Sequence, residues 1–139
     1  MADISLKVVE DTMKADFRAG GQGSKSFTKL LITAVNASIG RINRQTKFAT
    51  PTTTAIATIN NMTGTVGLDN EYLDILLDLV GLRMAALGQR PAKGKDKKYE
   101  VAALTIDDRV DDIRQDFLNV AVKADSSDTS DFIGLGGLG

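Results

Sequence analysis

Hydrophobic residues recur at helical spacing in four parts of the chain, and the clearest of these runs from residue 69 to residue 88. Apolar positions there return every three or four residues while the opposite face stays polar, which is typical of a helix with one side in a core. Asp69 is suited to cap the start, and Gly88 followed by Pro91 is suited to end it. The predicted core face of this central helix is Tyr72, Leu73, Leu76, Leu77, Val80, Met84 and Leu87.

Three further helices are predicted, over residues 5–19, 26–47 and 99–123. In the last of them we expect a kink near Thr105. Thr105 and Asp108 together resemble a capping pair. The apolar stripe of the helix over residues 5–19 is Leu6, Val9, Met13 and Phe17. That of the helix over residues 26–47 is Phe27, Leu31, Ala34, Val35, Ser38 and Ile42, widened by Leu30 and Ile39. That of the helix over residues 99–123 is Ile106, Val110, Ile113, Phe117 and Val120.

Residues 52–67 interrupt the helical pattern with a threonine-rich stretch in which apolar and polar positions alternate. Such alternation favours extended backbone, and Asn60, Asn61 and Gly64 mark turns. The stretch is therefore predicted to be a short hairpin or an extended loop between helices 2 and 3. A single exposed hairpin is unstable alone, so we expect an arm that a neighbouring molecule orders.

The C-terminal residues 124–139 are rich in Ser and Asp and then in Gly, a composition that cannot form a core of its own. Two interpretations are open: a disordered end with incidental apolar residues, or an extended tail that becomes ordered on a partner. We favour the docking tail, and its predicted contact residues are Phe132, Ile133, Leu135 and Leu138. The predicted fold is thus mainly α: a small four-helix bundle over residues 1–123, followed by this tail.

The composition argues against several classes of function. A chain of 139 residues is long enough for one domain, and it contains neither cysteine nor histidine. The usual metal ligands, the commonest general base and the thiol nucleophile are therefore missing, so we predict no enzyme, no cofactor and no metal site. No run approaches the roughly 18 apolar residues of a membrane span, and no secretion signal is recognisable, so we expect no membrane association.

The charges are unevenly distributed along the chain. Residues 1–98 hold 14 Lys and Arg against 9 Asp and Glu, or +5, whereas residues 99–139 hold 3 against 9, or −6. Such a division is compatible with an acidic tail or with complementary surfaces that meet between copies. The last helix carries an acidic face, which we interpret as exposed to solvent or to a partner rather than as a metal site; its members are Asp107, Asp108, Asp111, Asp112 and Asp116.

Basic residues are concentrated between the third and fourth helices, in residues 88–98, and at the end of the second. The first group is predicted to form a mobile loop, either a solvated connector or a contact for nucleic acid or an acidic protein surface. The cations at the end of helix 2, Arg41, Arg44 and Lys47, suit the negative end of its dipole, with a phosphate or partner contact as the alternative. The candidate contact residues of the loop are Arg90, Lys93, Lys95, Lys97 and Lys98.

The order of these elements over residues 26–123 resembles the small head–tail connector (adaptor) proteins of tailed bacteriophages. In that family a helix like KSFTKLLITAVNASIGRIN precedes a Thr- and Val-rich loop, and a helix of the pattern LDxEYxxxLxxLxxxRxA follows. The residues here that match this pattern are Leu68, Asp69, Glu71, Tyr72, Leu76, Leu79, Arg83 and Ala85.

The resemblance implies a structural virion protein that forms a homo-oligomeric ring of about a dozen copies. Such a ring binds the portal protein on one side and a downstream neck or tail protein on the other. It lines the passage for double-stranded DNA without sequence-specific binding, and the C-terminal segment contacts the portal. The alternative from another class is a small DNA-binding module that uses the basic loop 89–98.

Overall fold

The computed structural model describes residues 2–17, 25–46 and 55–133; for residues 25, 26 and 120–133 it describes the backbone alone. The described elements follow one another in the order β1 (Asp3–Ser5), α1 (Leu6–Asp16), α2 (Lys25–Thr46), β2 (Thr65–Asp69), a 3-10 turn (Asn70–Tyr72), α3 (Leu73–Ala86) and α4 (Asp96–Ile133). The described part of the chain is therefore mainly helical with four α-helices, as predicted.

The four helices surround one hydrophobic core in which α3 packs against α1, α2 and α4. The predicted stripes of α1 and α2 are buried except at Leu30, which is half-buried, and Leu76, Val80 and Met84 of α3 are almost inaccessible. Leu77, predicted to lie in the core, is half-buried at its edge, while Leu79 takes a core position that the prediction assigned to neither face. On α4, Ile106, Val110 and Ile113 complete the core, and Phe117 packs against it half-buried. Val120 lies beyond the described side chains.

The capping predicted for the central helix is found at the 3-10 turn that leads into α3 and at the C-terminal end of α3. The carboxylate of Asp69 accepts a hydrogen bond from the backbone N–H of Glu71 at 2.9 Å, which satisfies a free donor of the first turn. Gly88 has a φ of +94°, and the N–H of Gln89 closes the last turn on the carbonyl of Met84 at 3.0 Å. A left-handed glycine after the last turn is the usual helix stop.

A two-stranded antiparallel sheet closes one end of the bundle, and the helical pattern of the sequence did not predict it. Ile4 of β1 pairs with Val66 of β2, and Ser5 pairs with Thr65. The stretch over residues 52–67 was predicted to be extended, but residues 3–5 were assigned no strand and the first helix was predicted to begin at residue 5, because a strand of three residues has no period to detect. The pairing is not a hairpin, since the two strands lie far apart in sequence.

The threonine-rich stretch is described from residue 55 onward, and there it packs on its own chain rather than reaching toward a neighbour. The Asn43 side chain bonds both the N–H and the carbonyl of Ile56, at 2.8 and 3.0 Å, and Asn36 does the same for Ile59. Ile56 and Met62 are buried. The predicted intermolecular arm is therefore wrong for residues 55–67, because two asparagines on α2 supply the hydrogen bonds that a neighbouring strand would have supplied.

Helix α4 is longer at both ends than predicted. It begins at Asp96 instead of residue 99, so that Thr105 lies within the helix and does not cap it. It continues through Ile133, so residues 124–133 of the predicted extended tail are helical. Each added residue of an established helix gains one backbone hydrogen bond, which allows continuation through Ser and Asp. Residues 134–139 lie outside the described part of the chain.

Candidate subunit-contact surfaces

Asp16, at the end of α1, is the centre of a buried polar junction that ties α1 to α4. Its residue surface is only 3 % exposed. Its carboxylate accepts hydrogen bonds from the Lys98 ammonium and the Tyr99 hydroxyl, both at 2.6 Å, and Lys95 lies 3.4 Å away. The backbone carbonyl of Asp16 accepts from the N–H of Ala92 at 2.7 Å. Two cations and one hydroxyl therefore compensate a carboxylate that would be costly to bury alone.

Tyr99 reaches Asp16 through a notch in α3 that only glycine leaves open. A Cβ placed on Gly81 would lie 2.0 Å from Cε1 of the Tyr99 ring, inside any van der Waals contact. The ring packs on Phe17 with 5.5 Å between centroids, and Phe17 pairs with Pro91 in an isolated β-bridge. The segment between α3 and α4 is thereby held against the end of α1.

The junction sets the protonation of both its acidic groups. Burial alone would raise the pKa of Asp16, but the hydrogen bonds from Lys98 and Tyr99, with the charges of Lys98 and Lys95, hold that pKa below its ordinary value of 3.8. Burial and the adjoining Asp16 carboxylate raise the pKa of Tyr99 well above its usual range. Asp16 is therefore a carboxylate and Tyr99 a neutral donor at neutral pH, which is the arrangement of a structural lock.

Several charges of the predicted acidic face are also engaged within the chain. Asp107 pairs with Arg41 of α2, and Asp116 accepts a hydrogen bond from the Tyr72 hydroxyl at 3.0 Å. Asp111 has only a long contact of 3.8 Å with Arg114 of the same helix. Burial and the adjoining Asp116 carboxylate raise the pKa of Tyr72. Asp107 and Asp116 therefore hold α4 to α2 and to the 3-10 turn before α3.

A groove of about 240 Å³ lies on the bundle surface between α2 and α3. Four apolar residues, one serine and three arginines line it: Ala37, Leu79, Leu82 and Ala86; Ser38; and Arg41, Arg44 and Arg83. The Ser38 hydroxyl donates to the carbonyl of Ala34 at 2.8 Å, so it is already satisfied. The lining contains three guanidinium groups and no carboxylate.

The three arginines of the groove differ in how their charge is compensated. Arg41 pairs with Asp107 and also donates to the side chain of Gln45 at 3.1 Å. Arg44 and Arg83 are exposed, and neither has an ion-pair partner among the described residues. The groove therefore presents two guanidinium groups without an ion-pair partner among the described residues, beside the half-buried side chain of Leu82, which suits a partner that offers both carboxylates and apolar side chains.

The outward face of α4 has the complementary character. We call the residues Val101, Leu104, Asp108 and Asp112 the outer stripe, because they recur at helical spacing opposite the buried face. Leu104 is 84 % exposed and Val101 60 %, the highest values among the large apolar side chains that are described. Asp108 and Asp112 are exposed and have no ion-pair partner in the described ranges.

The basic residues that the sequence singled out do not form one surface. Lys95 and Lys98 are bound to Asp16, and Lys97 and Lys98 belong to the first turn of α4 rather than to a loop. Arg90, Lys93 and Lys97 are exposed. The predicted mobile loop is thus a short connection fastened at Pro91 and Ala92, because the buried carboxylate of Asp16 draws two of its five cations inward.

The predicted docking residues of the tail remain untested. Phe132 and Ile133 are the last residues of α4, where the structure describes the backbone only, and Leu135 and Leu138 fall outside the described residues.

Neither the arginine groove nor the junction was predicted as a unit from the sequence. Arg44 was noted at the end of helix 2 and Arg83 in the central helix, but their proximity depends on how α2 packs against α3. Neither Asp16 nor Gly81 was assigned a role from the sequence. A glycine inside an otherwise strong helix is a usable signal, since it commonly marks a close approach.

Within the described residues, no three carboxylates converge on a point where they could share a metal ion. No described helix combines the length and the apolar content that crossing a bilayer requires. No protein-family model, curated protein or solved structure matches the chain.

Proposed function

We propose that this protein is a structural subunit of a head–tail connector ring of a tailed bacteriophage. The observation that carries the proposal is the presence on one chain of two unmatched surfaces of opposite charge, the arginine groove and the outer stripe. In a closed ring built by head-to-tail contacts, each copy presents different surfaces to its two neighbours. Charges and apolar groups left uncompensated in the single chain then find partners in the next one.

The residues that carry the family resemblance support this proposal through their positions. Asp69 caps the start of the central helix segment, and Tyr72, Leu76 and Leu79 lie in the core. Arg83 neither caps a helix nor lies in the core, since it is exposed and lines the groove. A pattern made of caps, core residues and one unpaired arginine describes a scaffold with a contact surface.

In the proposed assembly the ring binds the portal on one side and a neck or tail protein on the other, and DNA passes through its centre. The acidic second part of the chain, at −6 from 3 Lys and Arg against 9 Asp and Glu, suits a passage that does not retain phosphates. The place of assembly would be the host cytoplasm, and the final location the virion.

The test is native mass spectrometry of the full chain, alone and with the portal ring of the same virus, over a range of ionic strength. We expect weak, salt-sensitive association of the chain alone and closed rings of about a dozen copies on the portal. A chain that stays monomeric at every ionic strength and never binds the portal would overturn the proposal.

The contribution of the C-terminal segment can be tested separately. Deleting residues 130–139 removes Phe132, Ile133, Leu135 and Leu138 but none of the core side chains described above. We expect the truncated chain to fold with an unchanged thermal midpoint and to bind the portal more weakly. Wild-type occupancy of the truncated chain on portal rings would remove the docking tail from the proposal without affecting the ring itself.

The alternative of a small DNA-binding module has less support in the geometry. Binding to the phosphate backbone requires cations that converge on one face, and the affinity then falls steeply with salt. Two of the five candidate cations, Lys95 and Lys98, are instead held by Asp16. Gel shifts with duplex DNA at low salt discriminate the two functions, because strong salt-dependent binding by the monomer would favour the module.

A further inference from the structure

We propose that the arginine groove between α2 and α3 is the docking site for the outer stripe of α4 of a second copy of this chain. This inference rests on the proposed function and deepens it, since it names the two surfaces that join neighbouring subunits. The contact is heterologous: the groove of one copy receives the stripe of the next.

The first argument is the match in chemical character. The groove offers the half-buried side chain of Leu82, with Arg44 and Arg83 beside it. The outer stripe offers two apolar side chains followed, at the next helical positions, by two carboxylates. Guanidinium and carboxylate groups pair with a geometric preference that lysine lacks, and such pairs fix the register of an interface.

The second argument is that both surfaces are unused within the chain. The other charges that face between helices are paired: Arg109 with Asp78, Arg41 with Asp107, and Asp16 with two lysines. Among the described residues of the groove and the stripe, Arg44, Arg83, Asp108 and Asp112 have no such partner. The groove and the outer stripe thus contribute equal numbers of unmatched charges, two cations and two anions, that could pair in a repeating contact.

The third argument concerns the apolar residues, which distinguish a protein partner from nucleic acid. A phosphate backbone would engage the arginines but would leave the half-buried Leu82 of the groove uncovered. It would also leave Leu104, 84 % exposed on α4, without a role. A second copy covers both apolar surfaces at once, so self-association accounts for more of the observed chemistry than DNA does.

The inference is tested by charge exchange in the full-length chain. The groove variant is Arg44→Glu with Arg83→Glu, and the stripe variant is Asp108→Lys with Asp112→Lys. Each alone places like charges at the contact, and we expect sedimentation velocity to show association weakened at least tenfold. Mixing the two variants, or combining all four changes in one chain, should restore association, because every groove then meets a stripe of opposite charge.

Matched controls make the same charge changes away from the proposed contact. Arg90→Glu with Lys93→Glu alters the connection before α4, and Asp11→Lys with Asp74→Lys alters exposed acids of α1 and α3. We expect these controls to associate as the wild type does. Circular dichroism of every variant confirms that the bundle is folded before association is measured.

Three results would overturn the inference. The first is equal weakening in groove variant and control, which would indicate a general charge effect, and the second is failure of the mixed variants to associate. The third is normal association of the groove variant combined with lost binding to duplex DNA, which would make the groove a phosphate site.

If the wild type forms rings that the groove variant also forms, the inference fails while the connector proposal stands. If wild-type rings never form but the mixed variants still pair at high concentration, the connector proposal fails while the inference stands.

Discussion

Two charged regions of this molecule contrast in how their charges are satisfied. At the Asp16 junction a carboxylate is almost fully buried and is met by two ammonium groups and a hydroxyl from the same chain. In the arginine groove two guanidinium groups stand in solvent with no such partner among the described residues. The difference separates charges that build the monomer from charges that remain available to another molecule. Charge changes at the junction should therefore alter folding, and those at the groove should alter association.

The largest expected difference in the free energy of unfolding lies between a variant in the core and a variant in the outer stripe. Leucine-to-alanine substitutions at the two places give the comparison. Leu76 is fully buried, so Leu76→Ala should lower the free energy of unfolding by roughly 2–5 kcal/mol. Leu104 is exposed, so Leu104→Ala should change it by less than about 0.5 kcal/mol in the monomer. Urea unfolding of both variants makes the comparison. Equal losses would contradict the assignment of α3 to the core and of Leu104 to the surface.

A second comparison uses two glycines inside helices, one at the junction and one beside the groove. Gly81→Ala places a Cβ against the Tyr99 ring, and such overpacking costs roughly 1–3 kcal/mol. Gly40→Ala meets only the mobile end of Arg44 at 3.4 Å and should stabilise α2 by about 0.5–1 kcal/mol. Thermal unfolding of the two variants should therefore shift in opposite directions. A harmless Gly81→Ala would mean that Tyr99 does not occupy the notch.

The buried carboxylate gives a third prediction. Asp16→Ala leaves the Tyr99 hydroxyl without its acceptor and should cost about 1–3 kcal/mol, whereas Asp16→Asn keeps an acceptor oxygen and should cost less. Chemical denaturation at neutral pH compares the two. If Asp16→Ala is as stable as the wild type, the junction contributes nothing to folding.

The pH dependence of the same site has a defined sign. The folded-state pKa of Asp16 lies below its ordinary value of 3.8, so its stabilisation is complete above that value and is lost as the pH falls through the lower folded pKa. The stability difference between wild type and Asp16→Asn should be constant from neutral pH to about pH 5 and shrink below pH 4. A difference that grows in acid would reverse the sign and contradict the arrangement described.

The smallest expected effect on folding belongs to the groove. Arg44→Gln with Arg83→Gln removes no ion pair described within the chain and places no negative charge in the last turns of α2 and α3, so it should change the free energy of unfolding by less than about 1 kcal/mol. Arg41→Glu is the contrasting variant, because it breaks the pair with Asp107 and repels that carboxylate. Urea denaturation should place Arg41→Glu below the double variant in stability. The opposite order would show that Arg44 and Arg83 serve the monomer.

The helices were predictable because their signals are local. The caps at Asp69 and Gly88 and the stripes of α1 and α2 depend on spacings within one or two turns, and those agree with the structure. The pairing of β1 with β2 and the attachment of Ile56 to Asn43 are contacts between distant parts of the chain. No local period encodes such contacts, which is why the threonine-rich stretch was assigned to a neighbouring molecule.

The candidate site shows the same limit. The sequence identified basic and acidic groups but could not say which of them neutralise one another, so Lys95 and Lys98 were grouped with the available cations although Asp16 binds both. The residues that remain unmatched, Arg44 and Arg83, became visible only when α2 and α3 were placed side by side. The packing of α2 against α3 thus places the candidate contact surface at the arginine groove and not at the basic loop 89–98.

Crosslinking between single-cysteine copies tests the central claim most directly, because the chain has no cysteine of its own. Ala86→Cys marks the groove, Val101→Cys marks the outer stripe, and Lys93→Cys is the control outside both. With a short bis-maleimide, mixing the groove and stripe variants should give a heterodimer band far stronger than either variant gives alone or the stripe variant gives with the control. If the groove variant links mainly to itself, or if the mixed pair links no better than the control pair, then groove and stripe do not meet.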